Sequence, residues 1–319
     1  MYILSVIILV IGFVLLVKGA DFFVDGSGSL AKKFRVPVFI IGMTIVAMGT
    51  SAPECAVSIS ASLSGSNGMA ISNVVGSNIF NLLVVCGMCA LFQPLVIKKE
   101  TLKKEFPFSV LAAVLLGIMG LIGMMVGHLD GIILVVIFIL FLIWMVRSAK
   151  KTMQTGGNVD GEAEEIRDLP MWKCLLFIGI GLVAIVIGGQ MVVNASETIA
   201  RGLGLSETLI GLTICSIGTS LPELVTSVVA AKKNQAGMAL GNVIGSNIFN
   251  ILLVGGVASA ISPIAMTMNN LIDIVILIIV SLYIMILVWK KQLLTRAGGV
   301  SLLVIYAAYM VYICVREVL

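Results

Sequence analysis

The sequence predicts an all-α polytopic membrane protein, with ten transmembrane helices in two inverted five-helix repeats. Three observations predict it. Of 319 residues, 60% are hydrophobic and 11% charged, whereas soluble domains carry about 25% charged residues. The apolar residues fall into runs long enough to cross a bilayer, which takes about 20 positions. The chain also repeats itself. Gly42-Met-Thr-Ile-Val-Ala-Met-Gly-Thr-Ser-Ala-Pro-Glu54 returns 169 residues later as Gly211-Leu-Thr-Ile-Cys-Ser-Ile-Gly-Thr-Ser-Leu-Pro-Glu223. Without a gap, the same offset joins Gly76-Ser-Asn-Ile-Phe-Asn81 to Gly245-Ser-Asn-Ile-Phe-Asn250, and 24 of 46 positions from Gly42 to Gly87 equal their partner. A duplication in register, with a glutamate in an apolar setting in each copy, marks a transporter built from two repeats.

The helices follow in order. The first is read at 2–24. Its opening 17 residues have the make-up of a secretory signal. However, Gly19-Ala-Asp-Phe-Phe-Val-Asp25 aligns at the common offset with Gly188-Gly-Gln-Met-Val-Val-Asn194, deep in the chain, so this helix is expected to be retained. The second, 36–62, carries the first motif, and the third, 69–91, the second motif. Helices at 106–126 and 130–148 complete the repeat. The hydrophilic stretch 149–171, with Gly156, Gly157, Asp160, Glu162, Glu164, Glu165 and Asp168, reads as a flexible linker too short for a folded domain. Helices at 172–195, 205–230, 238–260, 271–289 and 299–316 repeat the series. The expected units are therefore 1–148, the linker 149–171, and 172–319.

Basic residues orient the chain, because cytoplasmic loops concentrate Lys and Arg. The loops after helices 1, 3, 5, 7 and 9 hold 17 of the 20, while Arg201 and Arg316 lie opposite and Lys18 sits within helix 1. This places the linker in the cytoplasm and both termini outside. An odd number of helices per repeat then forces the second copy to enter the membrane inverted. Matched positions agree: Leu63-Ser64, expected outside, corresponds to Lys232-Lys233, expected inside.

Glu54 and Glu223 carry the chemistry. A carboxylate at the bilayer midplane costs at least about 2.5 kcal/mol, so one in each repeat points to a site. Pro53 and Pro222 precede them. Proline lacks the backbone donor and crowds the carbonyl four residues back, here Gly49 and Gly218. Each Gly-Thr-Ser-x-Pro-Glu segment is expected to break its helix, which membranes tolerate only where backbone lines a cavity. Thr50, Glu54 and Ser58 share one helical face, as do Thr219, Glu223 and Ser227. Asn73, Ser77 and Asn81 form a second stripe, matched by Asn242, Ser246 and Asn250. Carboxylates, amides, hydroxyls and main-chain carbonyls without thiolate or imidazole suit a hard cation such as Ca²⁺ or Na⁺. Ser58, Ser227, Asn73 and Asn242 fit helix-packing roles equally well, and Asn78 and Asn247 stay open between the two.

Other polar residues are set aside. Cys55, Cys86, Cys89, Cys174, Cys215 and Cys314 lie in or beside apolar segments and read as small hydrophobes. Cys86-x-x-Cys89 has no second pair or histidine. His128 is expected in a solvated loop. Asp21, Asp25, Glu197, Asp130 and Asp273 fall near helix ends, within reach of water, and Lys18 is spaced to pair with Asp21.

The two motif blocks resemble the alpha repeats of the cation/Ca²⁺ antiporter superfamily, in particular its prokaryotic Na⁺/Ca²⁺ exchanger branch, over nearly the whole chain. The resemblance implies ten helices in two inverted repeats. It implies Ca²⁺ between Glu54 and Glu223, assisted by the carbonyls of Thr50 and Thr219. Na⁺ would use flanking sites involving Ala47, Ser51 and Ser77, their partners Ser216, Ser220 and Ser246, and the same two glutamates. Asn81 and Asn250 would complete the ring, and helices 1 and 6 would slide across the rest. Some relatives, including K⁺-dependent exchangers, carry Asp where this chain has Asn250. Two central carboxylates would be neutralised by one Ca²⁺ and left at +1 by three Na⁺. The implied exchange is thus electrogenic and K⁺-independent.

The leading expectation is a Na⁺-driven Ca²⁺ antiporter of a prokaryotic plasma membrane, with Ca²⁺, Na⁺ and the lipid bilayer as its partners and no cofactor. A proton-driven Ca²⁺ antiporter is the alternative, since buried glutamates also carry protons, although Ser51 and Ser220 suit Na⁺ better. A cation channel would need a continuous pore. No His-Glu-x-x-His marks a membrane hydrolase, so no enzyme is expected, and a net charge of +4 gives no reason to invoke nucleic acid.

Overall fold

A computed structural model describes residues 2–65, 67–154, 166–203 and 216–318, and nearly all of them are helical. In order they are α1 (Tyr2–Phe34), α2 (Val38–Thr50), α3 (Ala52–Leu63), α4 (Gly68–Phe92), α5 (Lys99–Leu121), α6 (His128–Gln154), α7 (Met171–Gly202), α8 (Leu221–Lys232), α9 (Ala236–Ile261), α10 (Met268–Trp289) and α11 (Arg296–Val318). Among the described residues eight of these are long and apolar enough to cross a membrane, and the bent pair α2–α3 makes a ninth. The expected helix 205–230 is described only from Ser216 onward, as a short turn Ser216–Gly218 followed by α8. Its first part, with Cys215, lies outside the described residues, as do the linker residues Gly156, Gly157, Asp160, Glu162, Glu164 and Glu165.

The expected spans agree in place but not in length. Helix α1 runs to Phe34 rather than residue 24, and α7 to Gly202 rather than 195. Gly26-Ser27-Gly28-Ser29 looks like a helix end by composition, yet all four residues are buried. Small residues permit close helix approach, so tertiary packing holds a helix that propensity would release. Helices α1 and α7 pack along each other through bare backbone. A Cβ on Gly19 would meet Gly181 O at 2.9 Å, and one on Gly188 would meet Gly12 O at 2.8 Å.

Two more features escaped the sequence reading. Short antiparallel ribbons pair Leu95–Val96 (β1) with Leu293–Leu294 (β4), and Met125–Val126 (β2) with Ile264–Ala265 (β3). The ribbons are counterparts in the repeat, β1 matching β3 at an offset of 169 and β2 matching β4 at 168. Turn geometry repeats as well, with Gly65 (φ 75°) ending α3 and Asn234 (φ 56°) ending α8 in the left-handed region, where only Gly and Asn sit readily.

The core is built on α4 and α9, which are buried along most of their length. Helix α9 crosses α2, and α4 lies against α3. Glycine permits the first crossing: a Cβ on Gly245 would meet Met43 O at 2.5 Å. Helices α1, α6 and α7 expose apolar side chains outward, among them Val10, Val14, Ile132, Val136, Ile180 and Ile187.

Candidate cation-binding site

The Gly-Thr-Ser-x-Pro-Glu segments break their helices where the prolines place the break. Helix α2 ends at Thr50, Ser51 leaves helical geometry (φ −83°, ψ 9°), and α3 starts away at 47° with Pro53 in its first turn. Ser220 does the same before Pro222 and α8 (φ −94°, ψ 6°). Each glutamate therefore sits in the first turn of a short helix in the interior. Glu54, Glu223, Thr50, Ser51 and Ser220 all have 0% exposure.

The two carboxylates are held across the molecule. Ser51 Oγ donates to Glu223 Oε1 at 2.7 Å, and Ser220 Oγ donates to Glu54 Oε1 at 2.9 Å. Each serine thus binds the other copy's glutamate, bringing the two motifs 169 residues apart into one site. Thr50 Oγ1 lies 3.1 Å from Val46 O and from Asn242 Oδ1, and Thr219 Oγ1 donates to Asn73 Oδ1 at 3.4 Å. The threonine hydroxyls are thereby occupied by protein.

The asparagine stripes divide by role. Asn73 Nδ2 donates to Ser58 Oγ (2.9 Å) and Glu54 O (3.3 Å), and Asn242 Nδ2 donates to Ser227 Oγ (2.9 Å) and Glu223 O (3.5 Å). These four side chains spend their polar atoms on fixing the glutamate helices. Asn78 and Asn247 bridge α4 to α9: Asn78 Nδ2 donates to Asn247 O (3.1 Å), and Asn247 Nδ2 to Asn78 O (3.3 Å). They also orient the next pair, since Asn81 Nδ2 donates to Asn247 Oδ1 and Asn250 Nδ2 to Asn78 Oδ1.

What remains is a set of oxygens. Glu54 Oε2, Glu223 Oε2, Asn81 Oδ1, Asn250 Oδ1 and Ser77 Oγ are buried without a hydrogen-bond partner among the described residues. Buried polar atoms are almost always paired, and an ionised carboxylate stripped of water is among the most costly exceptions. Five such oxygens, two of them carboxylate, match the hard-oxygen preference of Ca²⁺ and Na⁺. The amide nitrogens of Asn81 and Asn250 are tied to protein, so each side chain turns its oxygen free.

The remaining expected residues are less decisive. Ala47 is buried where α2 meets Gly245, and Ser246 is buried with its Oγ 3.5 Å from Asn242 Oδ1. Ser216 opens the turn before α8, and its side chain lies outside the described residues. Wide π-helical turns begin at Asn81 and at Asn250. Such turns recur at functional sites, and no residue type in the sequence announces them.

Two assignments outside the site need revision. Asp273 is not open to water: it is buried in α10 and forked by Arg316 of α11, at 3.0 and 3.2 Å. His128 is exposed as expected but begins a helix, with Nδ1 2.8 Å from Ala260 O. Cys86 and Cys89 are buried free thiols.

Comparison with known proteins gives one answer. The family model described as sodium/calcium exchanger protein matches residues 4–147 and 173–315. The chain is 34% identical to the sodium/calcium exchanger MaX1 of Methanosarcina acetivorans, covering 96% of this chain and 97% of that one. It is also 34% identical to the inner membrane protein YrbG of Escherichia coli, covering 91% and 90% respectively. Among solved structures, the sodium-calcium exchanger NCX_Mj superposes with a TM-score of 0.84 at 32% identity, over 98% of this chain and all of the other.

Proposed function

Because the chain belongs to the sodium/calcium exchanger protein family, we propose that it is a secondary antiporter exchanging Na⁺ for Ca²⁺ by alternating access. The observation that carries this reading is the crossed pair of glutamates, each leaving one buried oxygen unpartnered beside those of Asn81, Asn250 and Ser77. Glu54 and Glu223 would share Ca²⁺, with the carbonyls of Thr50 and Thr219 completing its shell. Na⁺ would distribute over Ser51, Ser77, Asn81 and the carbonyl of Ala47, and over Ser216, Ser220, Ser246 and Asn250.

Two carboxylates set the charge arithmetic. One Ca²⁺ neutralises them and three Na⁺ exceed them by one, so 3:1 exchange is electrogenic. Asn250, an amide, leaves no third carboxylate to pair with a co-transported K⁺. The architecture in this reading is ten helices in two inverted repeats, 1–148 and 172–319, joined by a cytoplasmic linker 149–171. Both termini lie outside a prokaryotic plasma membrane. The return of each serine–glutamate bond at the 169-residue offset, and of each ribbon within one residue of it, supports the repeat. A proton-driven exchange is not favoured, because the family and the relative MaX1 are described as sodium/calcium exchangers and both glutamates are met by serine hydroxyls.

Proteoliposomes loaded with Na⁺ and diluted into Na⁺-free, K⁺-free buffer test the reading. Ca²⁺ uptake is expected to require internal Na⁺, to ignore K⁺, and to vanish in Glu54→Gln or Glu223→Gln protein that remains folded. Normal flux in either variant would remove the centre of the proposal. Uptake driven only by a pH gradient would change the coupling ion.

A further inference from the structure

The two sides of the site are not equally closed. On α8, Pro222 and Thr226 are buried, Thr226 at 0%, and Val229 is 8% exposed. Their counterparts under the common offset on α3 are half-buried Pro53, Val57 at 37% and exposed Ser60. The difference goes with α1, which packs against α8 and meets its end where Asp21 and Asp25 reach Lys233. Any state giving access from that end must part α1 from α8.

A group of charges spans this seam. Asp25 of α1, its side chain 12% exposed, receives Lys233 Nζ at 2.7 Å from the end of α8, and Arg167 Nη1 at 3.3 Å from the end of the linker. Lys233 also reaches Asp21 Oδ1 at 3.4 Å and Asp21 O at 3.1 Å. The linker is fastened to the same helix. Ser29 Oγ donates to Arg167 O at 2.5 Å, Lys32 Nζ to Ile166 O at 3.2 Å, and Lys33 Nζ meets Asp168 Oδ1 at 3.2 Å. On the opposite side Glu197 pairs with Arg201, both on α7, and this pair does not repeat the triad. The counterparts of Asp21, Asp25 and Lys233 are Gln190, Asn194 and Ser64, all uncharged.

We propose that Asp25, Lys233 and Arg167 form a one-sided electrostatic latch that favours the state closed at the linker end and couples that state to the linker. The idea rests on the antiport reading, since only an alternating protein has a second state to hold back. Inverted repeats alone would make the two access states near mirror images of each other. The latch breaks that balance, because its short, partly desolvated pair exists in one state only. Charge-assisted bonds of this kind are the strong ones, and a contact made in one state shifts the equilibrium by its whole differential strength. The unpartnered Oε1 of buried Gln235, beside Asn234 and Lys233, marks the same seam as polar rather than sealed by apolar packing.

The test uses the full chain in detergent, with its native cysteines replaced and Thr226→Cys introduced, and measures the rate of modification by a charged thiol reagent. Asp25→Asn and Lys233→Gln are each expected to speed modification about tenfold or more. Lys233→Arg, which keeps the positive charge between Asp25 and Asp21, is expected to retain the slow rate. Modification of Val57→Cys should slow in the Asp25→Asn and Lys233→Gln variants. Unchanged rates at Thr226→Cys in folded Asp25→Asn and Lys233→Gln variants would overturn the latch, as would a Lys233→Arg protein that reacts as fast as they do. If Asp25→Asn fails to fold, Lys233→Gln at its partly exposed position still decides. Since modification needs no ion gradient, a failed flux assay sinks the antiport reading, whereas a flat modification rate sinks the latch.

Discussion

At Ser51 one hydroxyl hydrogen decides what the other repeat's glutamate is able to do. By donating to Glu223 Oε1 at 2.7 Å it fixes the carboxylate and leaves Oε2 buried without a partner among the described residues, the oxygen the proposed function assigns to a cation. A hydrogen bond to a charged acceptor is worth about 1.5–3 kcal/mol. Ser51→Ala or Ser220→Ala is therefore expected to weaken apparent Na⁺ affinity roughly tenfold to a hundredfold while transport persists. The Na⁺ dependence of Ca²⁺ uptake checks this, and an unmoved half-saturation would contradict it. Asn78→Ala should act differently, because its side chain orients Asn250 and bridges to α9 rather than facing the cation. Thermal stability and ion affinity should fall together in that variant. The glutamates and serines were legible as site residues because a polar group in an apolar run needs a reason. The division of labour among six asparagines was not, since stripe spacing cannot say which amide atoms protein has already taken.

At the scale of the element, the crossing of α2 and α9 depends on a missing side chain. Gly245 lies so close to α2 that an added Cβ would meet backbone at Met43 O, 2.5 Å away, and Ala47 Cβ at 2.8 Å. Backbone cannot rotate aside, so Gly245→Ala is expected to cost about 1–3 kcal/mol, the usual range for an overpacked core. A lower thermal midpoint in detergent, with uptake falling in proportion to folded protein, is the expected result. Gly68→Ala is the control, with nothing within 4 Å of the added atom. The ion pair of Asp273 with Arg316 ties α10 to α11. Removing one partner of a buried pair leaves the other charge uncompensated, a loss of about 3–5 kcal/mol. Arg316→Met alone is accordingly expected to destabilise more than Arg316→Met combined with Asp273→Leu, as judged by thermal unfolding. Asp273 reads as a solvated helix end because sequence position gives its depth along one helix, not what the neighbouring helix places beside it.

For the whole molecule, the proposed 3:1 exchange predicts a transport cycle sensitive to voltage. If three Na⁺ leave for each Ca²⁺ that enters, one net positive charge leaves, so an inside-positive potential should speed uptake into Na⁺-loaded vesicles. A potential set by K⁺ and an ionophore measures this, and a rate indifferent to voltage would argue for a 2:1 ratio.

The sequence by itself determined a membrane-embedded helical protein, the duplicated register, the helix breaks at Ser51 and Ser220, and the oxygen chemistry of the site. These follow from hydrophobicity, proline stereochemistry and the cost of burying charge, all of which act locally along the chain. Only the tertiary structure decided that each serine serves the opposite glutamate, that Asn73 and Asn242 are spent on scaffolding, and that α1 continues ten residues beyond its expected end to Phe34. It also decided that Asp25 meets Lys233 and Arg167, whereas its counterpart in the repeat is the uncharged Asn194. Most such facts depend on atoms that meet from distant parts of the chain, as far apart as 146 and 212 positions. A repeat that looks symmetric in sequence cannot announce where its two copies will be packed differently.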